Sequence, residues 1–179
     1  MTTLDLIKSD LYRYHGKSHF SHFLKQYFIN KGFYFTFWFR LTHGYYKTPI
    51  LGLFLRWKYS RLKTKYATDT GYRVSIGPGL CIYHLYTSTI NGDVVVGKNF
   101  VLMHGVTIGA AHSGSPTIGD NVFIGPGAVV VGGIRIGNNV AIGANSVVLK
   151  DVPDNSVVGG NPAKIISQKG SENYCRNRV

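Results

Sequence analysis

The amino-acid sequence predicts a mainly β chain of short stacked strands behind an α-helical N-terminal region, and three observations carry that prediction. The first is a period of six. From Ile118 onward a branched apolar residue recurs at Ile118, Ile124, Val130, Ile136, Ile142 and Val148. An earlier series, Ile90, Val96, Leu102 and Ile108, keeps the spacing, with Ile76 and Ile82 before it. The second is what accompanies each repeat: glycine one place on, at Gly119, Gly125, Gly137 and Gly143. A small residue or valine stands four places on, as at Val122, Ala128, Val140 and Ser146. The third is a change of composition near Tyr66. Residues 1–70 hold twelve of the twenty Lys and Arg and eighteen of the twenty-four aromatics, opposed only by Asp5, Asp10 and Asp69.

Six is not a multiple of 3.6, so a helix would scatter the repeat residues around its circumference. A hairpin would alternate by two. Short strands joined by corners, with one side chain per strand pointing into a narrow prism, satisfy the period. Glycine suits such corners because it tolerates backbone angles that crowd a Cβ. The register breaks twice. Ile82 to Ile90 is eight residues, leaving two extra in Leu85 to Thr89, and Ile108 to Ile118 is ten, leaving Ala110 to Pro116 as a protruding loop. Interruptions in a regular scaffold are where function tends to be placed.

The N-terminal region shows helical spacing at Leu4, Ile7, Leu11, then at Phe20, Phe23, Leu24, Tyr27 and Phe28. Ser18 or Ser21 is the expected N-cap, Gly32 and Pro49 the punctuation, and Leu51 to Lys65 a further basic helix. The chain therefore divides into a helical, basic, aromatic-rich region 1–66, a repeat region 67–166 and a C-terminal tail 167–179. The aromatic stripe has two readings, which different faces can share: packing against the strands or a neighbouring subunit, or a basic face resting on an anionic membrane surface.

Composition excludes several classes. The N-terminus lacks a signal-peptide layout, and no stretch reaches the ~18 uncharged apolar residues of a spanning helix. The longest candidate, Leu41 to Leu55, is interrupted by Lys47 and Pro49. A cytoplasmic protein is expected, peripheral at most to the inner face of the membrane. Cys81 and Cys175 have no ligand-like spacing and fit a reduced cytosol. The net charge of +12 would suit nucleic acid, but it lies in amphipathic aromatic segments without a nucleic-acid motif.

Register singles out two of the seven histidines. His84 and His104 each stand two places after an inward residue, Ile82 and Leu102, which are three repeat steps apart. They should stack on one outer face, roughly 5 Å apart. His112 lies on the protruding loop.

The words Ile76-Gly-Pro-Gly-Leu-Cys-Ile-Tyr-His84, Val96-Gly-Lys-Asn, His104-Gly-Val-Thr-Ile-Gly109, Pro116-Thr-Ile-Gly119-Asp, Ile142-Gly-Ala-Asn to Asp-Val-Pro153 and Gly160-Asn-Pro-Ala-Lys164 occur in one order. In that order they resemble the serine acetyltransferase branch of the hexapeptide-repeat acyltransferases, and most of all the capsule and exopolysaccharide O-acetyltransferases. The resemblance covers roughly residues 68–165. It implies a left-handed parallel β-helix with three hexads per coil, a handedness opposed to the usual crossover rule that periodicity alone could not supply. It also implies acetyl-CoA as co-substrate, no metal, and a homotrimer, with a dimer of trimers through the N-terminal helices left open.

Carried over by position, His84 falls on the family's catalytic base and Asp69, fifteen residues earlier, on the carboxylate that orients it. The pantetheine arm would lie between neighbouring β-helices along backbone amides near Gly109, Gly125 and Ala144. Lys164, with Lys150 as second candidate, would meet the CoA phosphates. The departures point to the acceptor. Tyr83 replaces an aspartate, and Gly114 and Ser115 replace an Arg-His pair, so the charged partners a zwitterionic serine needs are gone. A neutral hydroxylic acceptor such as a glycan fits, with Tyr83 and Tyr86 stacking on a sugar ring and His104 and His112 nearby. The expected function is acetylation of a cell-surface polysaccharide or its precursor. The alternative is serine, or another small hydroxylic compound. A zinc carbonic anhydrase on the same β-helix would need three converging histidines, and His104 has no partner at Gly109.

Overall fold

The computed structural model describes all residues from Met1 to Val179. Four helices come first: α1 (Thr3–Arg13), α2 (Phe20–Ile29), α3 (Lys31–Tyr45) and α4 (Pro49–Lys65). Short strands then wind through three parallel sheets. The first sheet stacks β1 (Asp69–Thr70), β4 (Thr89–Ile90), β7 (Thr107–Gly109), β10 (Val129–Val131) and β13 (Val147–Val148). The second stacks β2 (Ser75–Ile76), β5 (Val95–Val96), β8 (Thr117–Ile118) and β11 (Arg135–Ile136). The third stacks β3 (Cys81–Ile82), β6 (Val101–Leu102), β9 (Phe123–Ile124), β12 (Ala141–Ile142) and β14 (Val157–Gly159), with β15 (Lys164–Ser167) added antiparallel.

The period of six is the spacing of inward columns. Ile82, Leu102, Ile124, Ile142 and Val158 stand in register in the third sheet. Ile76, Val96, Ile118 and Ile136 do so in the second, and Ile90, Ile108, Val130 and Val148 in the first. All are buried, and with the small residues four places on they form one continuous core. Burial of each such aliphatic side chain contributes about 1.5–3 kcal/mol, so the prism is stabilised along its whole length.

Both ends of a stack of strands present unpaired backbone groups. At the base, the helices satisfy them with side chains. The Tyr59 hydroxyl donates to Thr70 O in β1 (3.0 Å). Arg40 donates to Ile76 O and Gly77 O beside β2 (2.6 and 2.7 Å), while Asp10 pairs with Arg40 (2.8 Å) and accepts from Leu80 N. The Tyr14 hydroxyl accepts from Ile82 N (2.9 Å) and donates to Ile82 O (3.1 Å) in β3. Each sheet thus has its own helical cap.

Two details of the helical region differ from the sequence expectation. The N-cap of α2 is His19, whose Nδ1 accepts from His22 N, and neither Ser18 nor Ser21 fills that role. Gly32 does not break a helix. Asn30 closes α2 and caps α3, and Gly32 lies in the first turn of α3 because a Cβ there would stand 2.0 Å from Ile82 O. Pro49 opens α4 at its first position, where the missing N–H costs nothing.

The tail returns along the third sheet. Tyr174 stacks on Phe123 (4.6 Å), and Val179 exchanges two hydrogen bonds with Asn99. Asn99 begins a corner ladder in which Asn99, Asn121 and Asn139 each donate to the next asparagine, ending at Asn155, over 2.8–3.0 Å. All four are left-handed, a conformation asparagine tolerates.

The aromatic residues of the helices divide by face. Phe33, Phe35, Phe39 and Tyr59 are buried. Outside, rings touch in sequence from α2 across α3 to α4: Phe20, Phe23, Phe37, Trp38, Phe54, Trp57, with centroids 5.6–6.5 Å apart. Beside this ribbon Phe28, Ile50 and Leu53 are exposed. No helix is long and apolar enough to cross a membrane.

Candidate active site

The corner between the third and first sheets carries the two stacked histidines. His84 and His104 are exposed and their rings meet edge to face, 6.0 Å apart at 86°, as the register of Ile82 with Leu102 requires. In the coils above, the left-handed residue of this corner is Gly105, Gly127 or Asn145, each three places after its inward residue. At the base the two inserted residues move the turn, and His84 itself is left-handed (φ 54°), as is Thr87. Such strained positions cluster at active sites, which makes this corner the candidate.

Helices complete a cleft over His84. About 510 Å³ in volume, it is walled by Tyr83, His84 and Tyr86 on one side and by His15, Lys25 and Lys31 on the other, within the range of small-molecule sites. Lys31 Nζ donates to the Tyr86 hydroxyl (3.3 Å) and lies over its ring. Burial beside the Cys81 thiol pushes the Tyr83 phenol up to about 12, so it remains a neutral hydroxyl. Burial likewise raises Cys81 to about 11, which leaves this thiol inert as a nucleophile.

The other residues singled out by sequence are spread around the solenoid. The Asp69 carboxylate is exposed and paired with Lys63 (2.8 Å); within the chain it makes no bond to His84. His112 belongs to the corner between the first and second sheets. There the loop is pinned by Ser113 Oγ, which accepts from Gly133 N, and by Ser115 Oγ, which donates to Asn91 Oδ1. Gly109 ends β7 at the far side of the first sheet. Gly125 and Ala144 lie on the histidine corner, one and two coils above His104 respectively. The Gly125 amide donates to Ile142 O, and a Cβ on Gly125 would stand 2.8 Å from Ala144 N. That Ala144 amide has no acceptor within the chain. Lys150 and Lys164 are exposed at the upper end. No three His, Cys, Asp or Glu side chains converge as metal ligands would.

Sequence reasoning missed the helical wall. Lys25, Lys31 and His15 belong to no motif, and only the docking of α3 on β3, with α1 and α2 packed on α3, brings them to His84. His15 is itself left-handed (φ 77°), which no sequence pattern signals.

Comparison with known proteins agrees with this fold. Residues 115–150 match the family described as bacterial transferase hexapeptide (six repeats). The crystal structure of the serine acetyltransferase from Brucella abortus strain S19 in complex with coenzyme A superposes with a TM-score of 0.80 at 32% identity, covering 92% of this chain and 68% of that one. The serine acetyltransferase of Buchnera aphidicola is 34% identical over 151 residues, 80% of this chain and 54% of its own. The chain therefore spans about half the length of that curated relative. An Escherichia coli K12 protein named for colanic acid biosynthesis, the acetyltransferase WcaB, is 44% identical over 102 residues, 53% of this chain and 63% of its own.

Proposed function

The chain belongs to the hexapeptide-repeat acyltransferases of the serine acetyltransferase-like kind, and we propose that it transfers acetyl from acetyl-CoA to a hydroxyl of a cell-surface polysaccharide or its precursor. The observation that carries the reading is His84, held left-handed at the mouth of a cleft. A neutral imidazole there takes the proton of the acceptor hydroxyl as its oxygen attacks the thioester carbon. The tetrahedral intermediate collapses, the carbon–sulfur bond breaks, and the imidazolium returns the proton to the departing thiolate. Asp69 orients the imidazole. It leaves Lys63 to do so, and this exposed pair is cheap to exchange.

The acetyl-CoA arm would run up the histidine corner, where the free Ala144 amide over Gly125 is a ready donor, toward Lys164 and Lys150. The groove for it, and the approach of Gly109 and His112 to His84, require neighbouring subunits, so a homotrimer is part of the proposal. A glycan is favoured over serine because the cleft presents Tyr83 and Tyr86 and no carboxylate for an amino group. The exposed aromatic ribbon flanked by lysine and arginine would hold the enzyme at the cytoplasmic membrane face, where lipid-linked glycan precursors sit.

The test supplies isotopically labelled acetyl-CoA with L-serine and bacterial surface oligosaccharides together, and follows the label by mass spectrometry. Label on glycan, abolished by His84→Asn, is the expected result. Label on serine would replace the acceptor, and transfer that survives in His84→Asn would remove His84 as base.

A further inference from the structure

We infer that the acceptor is anionic, and that Lys25 and Lys31 hold its negative group while His84 acts on a nearby hydroxyl. This rests on the proposal that His84 is the base, and it revises the neutral acceptor that the sequence suggested. That expectation came from the loss of charged partners along the repeat. It could not include the helical wall, which is absent from the repeat pattern.

None of the twelve residues lining the cleft is acidic, while Lys25 and Lys31 both are cationic. Asp10 is committed to the buried Arg40, and Asp69, once it turns from Lys63, is occupied by the His84 imidazole it orients. Nothing in the cleft thus neutralises either ammonium. Lys31 is also held in place. Its Nζ donates to Tyr86 and lies 5.5 Å from the ring centroid, which keeps one ammonium beside the inserted corner that carries His84. An ammonium so positioned has further donors for an incoming oxyanion. Beside Ile29 and Gly32, the helices contribute Gln26 and Asn30, already paired through Asn30 Nδ2 donating to Gln26 Oε1 (3.1 Å). His15, held left-handed on the same wall, adds an imidazole and no negative charge.

A cleft of one sign with low-dielectric aromatic walls concentrates ligands of the opposite sign. The ligand chemistry is therefore a sugar hydroxyl with an oxyanion close by. Two sources share that chemistry: the carboxylate of an acidic sugar residue, and the diphosphate of an activated or carrier-linked sugar.

Acetyl transfer would be compared on three acceptors: a uronate-containing oligosaccharide, the same oligosaccharide with its carboxylates reduced to alcohols, and a nucleoside-diphosphate hexose. At least one anionic acceptor should be preferred over the reduced one by about 30-fold in kcat/KM, the scale of one charge-assisted hydrogen bond. The arm that wins identifies the source. Lys25→Ala with Lys31→Ala should abolish the preference through KM, and Lys25→Arg with Lys31→Arg should restore most of it. Equal use of the reduced oligosaccharide, or a preference unchanged in the alanine variant, overturns the inference. Where no acceptor is turned over, equilibrium binding of the same three compounds to wild type and the alanine variant decides it by the same two criteria. Loss of the anion preference with His84-dependent transfer intact refutes only the lysine site. Transfer indifferent to His84→Asn, with the preference intact, refutes the base instead.

Discussion

His84 carries a backbone conformation that histidine adopts reluctantly, and it is an additional left-handed residue of the inserted corner: the ladder makes Thr87 the counterpart of Gly105, Gly127 and Asn145 in the coils above. A non-glycine residue in that region costs about 1–2 kcal/mol, less for asparagine. His84→Asn is therefore expected to leave the fold as stable as wild type or up to about 1 kcal/mol more stable, while removing transfer; thermal unfolding and the label assay measure the two. His84→Ala is a poorer control, because alanine at φ above zero is itself destabilising. A second residue-scale prediction concerns Cys81, whose burial raises its thiol from the ordinary value of 9.0 to about 11. The folded state then holds the proton more tightly than the unfolded chain. Its contribution is complete below pH 9 and is lost as pH rises to about 11, up to about 3 kcal/mol. Urea midpoints should fall across that window, and Cys81→Ala should flatten the fall.

The strand columns were legible in the sequence because one inward side chain per hexad is a local rule, repeated until it is unmistakable. The stacking of His84 on His104 followed from the same count. The Asn99, Asn121, Asn139 and Asn155 ladder went unread, although every rung is in the sequence. Its spacings of 22, 18 and 16 residues follow the changing length of the coils, so no fixed period reveals it. The caps at the base were hidden for a different reason. Tyr14, Arg40 and Tyr59 look like ordinary helical residues until the helices are docked, and Gly32 reads as punctuation when it is in fact a point of close approach. The element-scale prediction follows from that docking. Tyr14→Phe leaves Ile82 N and O buried and unpaired, at about 2–3 kcal/mol. Gly32→Ala, with its Cβ 2.0 Å from Ile82 O, forces α3 off β3 and should cost about 3 kcal/mol or more. Chemical denaturation orders the two. Both should also weaken transfer, since Tyr83 and His84 continue directly from Ile82.

The whole molecule is asymmetric in charge and in surface. Its helices close one end of the solenoid with buried polar caps, and on their outer side they carry the ribbon of rings, with Phe20, Phe54 and Trp57 exposed, on a region that also bears the basic Lys58 and Arg61 of α4. Two such faces meeting would bring together regions of the same strong positive charge, which opposes pairing of trimers through them. A bilayer containing anionic lipid offers opposite charge at the headgroups and apolar depth for Trp57, Phe54 and Leu53 in the same plane. Lys58, whose ammonium lies over the Trp38 ring at 5.3 Å, can keep its charge at headgroup level while the rings enter. The protein should therefore sediment with phosphatidylglycerol vesicles and not with phosphatidylcholine vesicles. Binding should weaken steeply with salt, because the Debye length shrinks from about 10 Å at 0.1 M toward about 3 Å at 1 M. Phe54→Ser with Trp57→Ser should weaken it about tenfold without altering the solenoid. Self-association that rises with protein concentration, is indifferent to vesicles and is abolished by the same substitutions would assign the ribbon to a second copy of the chain instead.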